Sequence, residues 1–209
     1  MKVAILTSEN QWFIDYAKEL QNILKKASLF YKHEEIESSY DVIFILSYHR
    51  IIPNEYLLAK HNIVIHASDL PLGKGWAPMF WQILEGKNNI VFSMFEASSG
   101  VDNGDIYMKK NLSLTGFELN EELRKKQANF IIEMCIDFLD KYDEYKNPVK
   151  QEGIETFYKK RDSKDSELDI HKSIDEQFNL LRIVDNDSYP AFFYKDGKKY
   201  ILKIEEASK

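Results

Sequence analysis

Two residues suited to acid–base chemistry lie on neighbouring glycine-rich turns. His66 leaves a predicted strand and enters a Pro/Gly-rich loop, and Asp102 lies in the turn Gly100–Gly104. An imidazole and a carboxylate on adjacent loops can manage a proton during acyl transfer at neutral pH. We therefore predict that His66 and Asp102 are catalytic. The alternatives are a structural histidine and an ordinary turn aspartate.

The segments that must position this pair alternate between strand and helix patterns. Apolar runs at 2–6 and 41–46 predict buried strands, and the second is typical of a strand covered on both faces in a parallel sheet. Residues 62–66 are the next predicted strand. The apolar spacing after Trp12 predicts a helix between the first two runs. Ligands of such sheets bind beyond the carboxyl ends of the strands. The loops expected at that edge are 8–11, 47–52 and 66–76.

The rest of the chain continues this alternation and supports an α/β fold, with an open, mostly parallel Rossmann-like sheet and flanking helices. We expect a catalytic domain over residues 1–145 and a C-terminal extension over 146–209, with a helix and a β-hairpin. The further predicted segments are helices at 53–59, 78–84, 118–142 and 170–184, strands at 29–32, 90–95, 105–112, 191–194 and 199–204, and a polar connection at 142–166.

Composition limits the class of protein and of partner. The 209 residues are 44% hydrophobic, which supports a packed core, and the formal net charge of −6 weighs against nucleic acid as a partner. Cys135, the single cysteine, lies in an apolar helical stretch, and we expect a core position for it. Neither a membrane-span pattern nor a signal-peptide pattern is found, so we expect a cytoplasmic protein. No cluster has metal-ligand spacing, and we expect no metal.

The stretch from His66 to Pro78, with the turn that contains Asp102, resembles the formyltransferase family that uses 10-formyltetrahydrofolate. The signature of that family runs Asn-x-His, then Ser-x-Leu-Pro, then an Asp-x-Gly turn. The resemblance covers about residues 1–140. It implies that an amine attacks the formyl carbon while His66 and Asp102 manage protons. It also implies that 10-formyltetrahydrofolate is the formyl donor.

The sequence departs from this family at one position. The family asparagine, which stabilises the oxyanion, is replaced here by Val64. Loss of such a donor slows acyl transfer by about a hundred- to a thousand-fold. His66 or Ser68 could supply the hydrogen bond, the enzyme could be slower, or the fold could serve for binding alone. Asn62 could substitute only if its strand bulges.

The resemblance also implies where the folate binds. The pterin is expected against the loop Ser98–Asp102 and the strand end Leu46–Ile51, with backbone groups doing most of the recognition. The cofactor-binding residues predicted in this way are Leu46, Tyr48, Arg50, Ile51, Ser98, Val101 and Asp102.

The segment Lys74–Pro78 resembles that of nucleotide-sugar N-formyltransferases. The nearest relatives in this respect are short enzymes for UDP-linked 4-amino-4,6-dideoxy sugars of surface-glycan and pseudaminic-acid-type pathways. Lys74 could then pair with the phosphates, and Trp76 could stack on sugar or base. The alternatives are a folate- or nucleotide-binding module without catalysis, another acyl donor, or formyl transfer to a different amine such as glycinamide ribonucleotide. The predicted substrate-binding residues are Ser8, Asn10, Ser68, Lys74, Gly75 and Trp76.

Overall fold

A six-stranded sheet forms the centre of the computed structural model, which describes residues 1–37 and 39–207. The strands are β1 (Val3–Leu6), β2 (Ser28–Phe30), β3 (Val42–Ile45), β4 (His61–His66), β5 (Lys74–Gly75), β6 (Asn89–Glu96), β7 (Ile106–Ser113), β8 (Phe157–Tyr158), β9 (Ala191–Lys195) and β10 (Lys198–Leu202). The helices are α1 (Ile14–Leu24), α2 (Pro78–Leu84), α3 (Asn120–Asp140), α4 (Tyr142–Tyr145) and α5 (Phe178–Ile183).

The strand order of the central sheet is β2-β1-β3-β4-β6-β7. The first four strands are parallel, and the pairs β4–β6 and β6–β7 are antiparallel. The predicted mostly parallel α/β sheet is thereby confirmed. Two antiparallel steps make β7 run in the same direction as β4. The carboxyl ends of β1, β3, β4 and β7 therefore lie at one edge of the sheet, which we call the carboxyl edge.

Both faces of the central strands are covered, which explains their uninterrupted apolar sequences. All residues of β1 and β3 are buried. The larger core cluster lies between the sheet and helices α1, α2 and α3, where the rings of Phe44 and Phe138 meet edge to face at 6.2 Å. Cys135 belongs to this cluster, as predicted, and burial raises the pKa of its thiol well above the usual value. A smaller apolar cluster covers the other face.

Two predicted helices are much shorter in the structure. The segment 170–184 is α-helical only in α5, after a 3₁₀ turn at Asp175–Gln177. Upstream of this turn, the Gln177 side chain bonds the backbone N–H and C=O of Asp169, which competes with helical hydrogen bonding. The segment 53–59 is reduced to a 3₁₀ turn at Asn54–Tyr56.

The C-terminal segment is bonded to the central domain at several points. Strand β8 lies within the predicted connection 142–166 and pairs in parallel with β5. The guanidinium of Arg182 in α5 is fully buried, 2.8 Å from a carboxylate oxygen of Glu118 and 2.8 Å from the side-chain oxygen of Asn88. The predicted hairpin is formed by β9 and β10. No helix in residues 1–37 and 39–207 is long and apolar enough to cross a membrane.

Candidate active site

The structure brings His66 and Asp102 together at the carboxyl edge. His66 is the last residue of β4, and Asp102 lies in the loop between β6 and β7 with a left-handed φ of 51°. The Nε2 atom of His66 is 3.6 Å from Oδ2 of Asp102, and both side chains are largely buried. The distance is longer than a direct hydrogen bond but within reach of one after a small shift. Catalytic hydrogen bonds are often this long before substrate binds.

Backbone groups of the loop after β4 hold both members of the pair. Nε2 of His66 lies 2.9 Å from the carbonyl oxygen of Gly73, and Oδ2 of Asp102 accepts a hydrogen bond of 2.8 Å from the N–H of Gly75. Two oxygen acceptors therefore surround Nε2, which favours the tautomer that carries its proton there. This arrangement can hold a proton between an imidazole and a carboxylate.

The two glycines that supply these groups are required by the backbone and by its close packing. Gly73 and Gly75 have φ angles of 69° and 96°. A Cβ at Gly75 would lie 2.5 Å from the carbonyl oxygen of Tyr158, and a Cβ at Gly73 would lie 2.9 Å from the ring of the same tyrosine. Larger residues would therefore push β8 away from the loop and disturb the hydrogen bonds to His66 and Asp102.

Residues 151–158, which we call the strap, fasten both catalytic loops. Nε2 of Gln151 donates to the carbonyl oxygens of Asp102 and Gly104, at 2.8 and 2.7 Å. The hydroxyl of Thr156 accepts from the N–H of Gly73 at 2.7 Å. Sequence reasoning missed these residues because a polar connection without periodicity carries no signal for such contacts.

The amine of Lys74 is buried and bonded to other side chains of the protein. Lys74 is 1% exposed, and its Nζ bonds the side-chain oxygen of Asn103 and lies 2.6 Å from a carboxylate oxygen of Glu155. These contacts link the loop after β4 to the Asp102 turn and to the strap. The expected pairing of Lys74 with substrate phosphates is therefore not supported by this geometry. Trp76, by contrast, is 50% exposed beside this loop.

Val64 leaves the position of the family asparagine apolar. Its side chain is half-buried and packs with Phe95 and Ala97 in the clusters on that face of the sheet. Asn62 does not substitute for the missing amide. It is 4% exposed, and its amide nitrogen donates to the carbonyl oxygen of Ala59 and to the carboxylate of Glu96, at 3.0 and 3.1 Å. The pairing of β4 with its neighbours shows no bulge at this point.

The residues predicted to bind folate are spread over two loops that flank Val64. Tyr48 and Ala97 both pack on the same apolar cluster as Val64, so the two loops approach each other there. The polar groups of Tyr48 and Arg50 already have partners in the chain. The Tyr48 hydroxyl lies 2.8 Å from Nδ1 of His33, and Arg50 forms an ion pair with Glu34. Leu46 is buried, Ile51 and Val101 are 90% and 56% exposed, and Ser98 is exposed.

The remaining predicted substrate residues differ in accessibility. Ser8 is buried and its hydroxyl accepts from the N–H of His49 at 3.1 Å, which ties the loop after β1 to the loop after β3. Asn10 is exposed with a φ of 56°. Ser68 is buried, and within the described chain its hydroxyl has no hydrogen-bond partner. Ser68 therefore keeps a free donor next to the catalytic loop.

A buried polar network supports the start of β4. Glu96 accepts hydrogen bonds from the backbone N–H of Asn62 and from the Tyr107 hydroxyl, which also lies 2.9 Å from Nδ1 of His61. Burial raises the pKa of Glu96 and, together with the bond to Glu96, the pKa of Tyr107. Burial lowers the pKa of His61. This network lies at the opposite edge from His66, and we assign it a structural role.

Comparison with known proteins assigns the chain to a family. Residues 17–137, more than half of the chain, match the formyl transferase family. The chain belongs to that family. Among curated relatives, the methionyl-tRNA formyltransferases of Rickettsia massiliae and Ehrlichia ruminantium are 32% and 31% identical to it over 171 residues, which is 80% of this chain. This formyl transferase family member spans about half the length of these relatives, 55% and 54%.

Solved structures with this fold include proteins that are named for different activities. A methionyl-tRNA formyltransferase from Clostridium thermocellum matches with a TM-score of 0.82 at 22% identity, over 100% of this chain and 94% of that one. A 4-N formyltransferase from Francisella tularensis matches with a TM-score of 0.71 at 16% identity, over 100% and 99%. HypX from Aquifex aeolicus, solved in complex with tetrahydrofolic acid, matches with a TM-score of 0.79 at 16% identity, over 98% and 37%. At these identities the likeness shows the fold alone.

Proposed function

We propose that this protein transfers the formyl group of 10-formyltetrahydrofolate to the amine of a nucleotide-linked 4-amino-4,6-dideoxy sugar. The single observation that carries the proposal is the approach of His66 Nε2 to Asp102 Oδ2, at 3.6 Å, in a chain of the formyl transferase family. The family membership supports the reaction class. The net charge of −6 favours a small acceptor rather than a polyanion. The half-exposed Trp76 beside the catalytic loop favours an acceptor that contains a flat ring.

The catalytic pair can balance the protons of this reaction. The sugar amine loses one proton as its nitrogen bonds the formyl carbon, and N10 of the folate gains one as its bond to that carbon breaks. Asp102 accepts the first proton, directly or through His66, and the pair returns it to the leaving nitrogen. Because Nε2 of His66 faces the Gly73 carbonyl and Asp102, it is the protonated imidazole, through its second nitrogen, Nδ1, that donates to the formyl oxygen while negative charge develops there.

Folate recognition fits the exposed surface near Val64. The flat pterin has apolar faces and a polar edge, and the two loops around Val64 offer apolar side chains for contact with its faces. Ile51 and Val101 are exposed apolar residues on these loops, which suits contact with a bound ring system. The tetrahydrofolate named in the HypX structure supports folate as the donor class.

The valine at the asparagine position gives a prediction that tests which group stabilises the oxyanion. If His66 supplies this hydrogen bond, Val64→Asn changes kcat by less than about tenfold, because the donor is already present. A gain of about a hundredfold or more would show that the site lacks a donor. The measurement is kcat for formyl transfer, with binding of tetrahydrofolate as the control for an intact site.

A second candidate function is formylation of methionyl-tRNA. It is favoured by the curated relatives, which are methionyl-tRNA formyltransferases; that of Rickettsia canadensis is 33% identical to the chain over 173 residues. A binding module without catalysis is the further alternative, and the valine at position 64 is the observation that favours it.

One acceptor panel separates these possibilities. Purified protein is incubated with 10-formyltetrahydrofolate and, separately, with UDP- and dTDP-linked 4-amino sugars, glycinamide ribonucleotide and charged initiator methionyl-tRNA. We expect a formamide product, 28 mass units heavier, with a nucleotide amino sugar. Formylation of methionyl-tRNA alone would replace the proposal with the second candidate. Folate binding without turnover on any acceptor would support the module.

A further inference from the structure

Two of the four arginines lack a carboxylate partner among the residues that the structure describes. Arg50 pairs with Glu34, and Arg182 pairs with Glu118. Within residues 1–37 and 39–207, no carboxylate oxygen lies within 4 Å of the side-chain nitrogens of the other two, Arg124 and Arg161. Half-buried arginines are normally paired, because desolvating an unpaired charge is costly. These two guanidinium groups therefore have unmet capacity for an anion.

Aromatic rings hold Arg124 in place. Its guanidinium carbon lies 4.5 Å from the centroid of the Trp12 ring and 4.4 Å from that of the Phe80 ring. Its one hydrogen bond to a described side chain is a long contact of 3.4 Å to Gln127. Both rings contact the guanidinium, and within residues 1–37 and 39–207 its N–H edge has no hydrogen-bond partner other than Gln127. A guanidinium edge of this kind matches the paired oxygens of a phosphate.

Arg161 lies beside Trp81, the residue that follows Phe80 in helix α2. Its guanidinium carbon lies 5.9 Å from the Trp81 ring, so the two arginines flank the consecutive residues Phe80 and Trp81 of α2. Nη2 of Arg161 donates to the carbonyl oxygen of Asp165 at 3.1 Å, whereas its Nε is buried without a partner in the described chain. Its exposed neighbour Lys160 lies 4.9 Å from the ring of Trp76.

The charges around Arg124 are suited to the binding of an anion. Burial lowers the pKa of Arg124 to about 10; Asp185 opposes this shift, and Arg161 adds to it. The carboxylate of Asp185 accepts the backbone N–H groups of Asp187 and Ser188, at 2.9 and 2.8 Å, and is thereby partly satisfied. An anion between the arginines would relieve the cost of burying both charges.

The arginines lie at the same edge of the sheet as the catalytic pair. Trp12 follows the loop after β1, Phe80 lies one turn into α2, which begins after the His66 loop, and Arg124 lies near the start of α3, which follows β7. Strands β1, β4 and β7 all end at the carboxyl edge. A substrate whose amine meets His66 can therefore extend past Trp76 toward the two guanidinium groups.

We infer that Arg124 and Arg161 form the binding site for the diphosphate of a nucleoside diphosphate, the carrier part of the amine substrate. This inference rests on the proposed function and deepens it. Trp76 follows Gly75 of the loop after β4, and Lys160, the chain neighbour of Arg161, lies 4.9 Å from its ring. Its half-exposed aromatic surface is suited to stacking on the sugar or base.

The test is direct binding of UDP and dTDP to the full chain, measured by isothermal titration calorimetry. We expect Arg124→Gln and Arg161→Gln each to weaken the Kd about 10- to 100-fold, because each removes a charge-assisted hydrogen bond. Lys125→Gln is the matched control: it makes the same charge change at the next, exposed position of α3, and we expect an unchanged Kd. Unchanged tetrahydrofolate binding shows that each variant is folded.

The outcomes separate this inference from the proposed function. Wild-type protein that binds neither nucleotide, or binds them with a Kd that both substitutions leave unchanged, overturns the inference even if formyl transfer to a sugar is observed. Arginine-dependent binding of an RNA acceptor-stem helix, with no affinity for UDP or dTDP, also overturns it. Absence of formyl transfer, with arginine-dependent UDP or dTDP binding intact, overturns the proposed function alone.

Discussion

His66 and Asp102, the proposed catalytic pair, depend on backbone groups for their positions. His66 faces the carbonyl of Gly73, and Asp102 accepts the N–H of Gly75, so a shift of the loop by a fraction of an ångström would change both contacts. Side chains at 3.6 Å can form the direct bond with little movement. Small changes in this support are therefore expected to affect the rate of the reaction more than the affinity for substrate.

Gln151 offers the sharpest test of this support. Gln151→Leu removes the two hydrogen bonds that fix the carbonyls of Asp102 and Gly104. We expect kcat to fall about tenfold or more with little change in KM for the acceptor, and the free energy of unfolding to fall by about 1–3 kcal/mol. Gln21→Leu, which removes a similar side-chain bond to the carbonyl of Ala27 away from the site, should leave kcat unchanged. An equal loss of kcat in both variants would contradict a positioning role for Gln151.

Part of this site could be predicted from the residue types in the sequence, and the rest could not for a physical reason. His66 and Asp102 were predicted to meet on the assumption that the strands before them end at the same edge of the sheet. The two side chains do lie 3.6 Å apart, but β6 is antiparallel to β4 and ends beside Ile63, so the loop after β6 must run back to reach His66. Lys74 was predicted to be available to phosphate, whereas it is buried against Asn103 and Glu155. The partner of a loop lysine depends on contacts between residues 81 positions apart, which no local pattern encodes.

At the scale of elements, the short pairing of β5 with β8 connects the catalytic loop to the strap. Continuous apolar runs made β1, β3 and β4 predictable. Two-residue strands carry no periodicity, so this pairing could not be predicted. The helix predicted over 170–184 is confined to α5 for a related reason: an apolar pattern does not reveal the side-chain bonds of Gln177 to the backbone of Asp169, which compete with helix formation upstream of α5.

The substitution Gly75→Ala tests the importance of this pairing. A Cβ there would meet the carbonyl oxygen of Tyr158 at a backbone φ of 96°. We expect the free energy of unfolding to fall by at least about 1–3 kcal/mol because of the backbone strain. We expect kcat to fall at least about tenfold because the N–H that holds Asp102 is displaced. Urea unfolding and formyl-transfer assays measure the two effects.

The matched control is Gly86→Ala. Gly86 has a similar φ of 85°, but no atom lies within 4 Å of a Cβ placed there. This variant should show the backbone cost alone, with kcat unchanged. If Gly75→Ala were no worse than Gly86→Ala in both measurements, the contact between the loop and β8 would have no special importance.

At the scale of the whole molecule, the C-terminal segment is fastened to the central domain by a buried ion pair. Arg182 and Glu118 are 0% and 3% exposed in their side chains and lie 2.8 Å apart. Burial opposes ionisation of Glu118, but hydrogen bonds from Lys126 and the backbone N–H of Thr115 outweigh it and hold its pKa at about 2. The pair, together with the strap, leads us to propose that residues 1–145 and 146–207 fold as one unit.

The hydrogen-bonded carboxylate of Glu118 predicts a pH dependence of stability. The carboxyl of Glu118 has an ordinary pKa of 4.5 and a folded value of about 2, so the unfolded chain binds more protons in this interval. Its contribution is fully present above pH 4.5 and is lost as the pH falls toward 2. Glu118→Gln should therefore flatten the fall in stability over this window. At pH 7 it should lower the unfolding free energy by about 3–5 kcal/mol.

Urea unfolding at a series of pH values checks this expectation. Glu121→Gln, at an exposed position in the first turn of α3, is the control and should follow the wild type. A Glu118→Gln variant as stable as that control at pH 7 would show that the buried pair does not hold the C-terminal segment in place.

The central claim is that the His66–Asp102 pair carries formyl transfer, and the most direct measurement is kcat of Asp102→Asn and His66→Ala with 10-formyltetrahydrofolate and the acceptor identified by the panel. Formamide product is quantified by mass spectrometry. We predict that each substitution lowers kcat at least about a hundredfold while tetrahydrofolate binding and the unfolding transition are retained. Turnover within about threefold of the wild type in either variant would contradict the account.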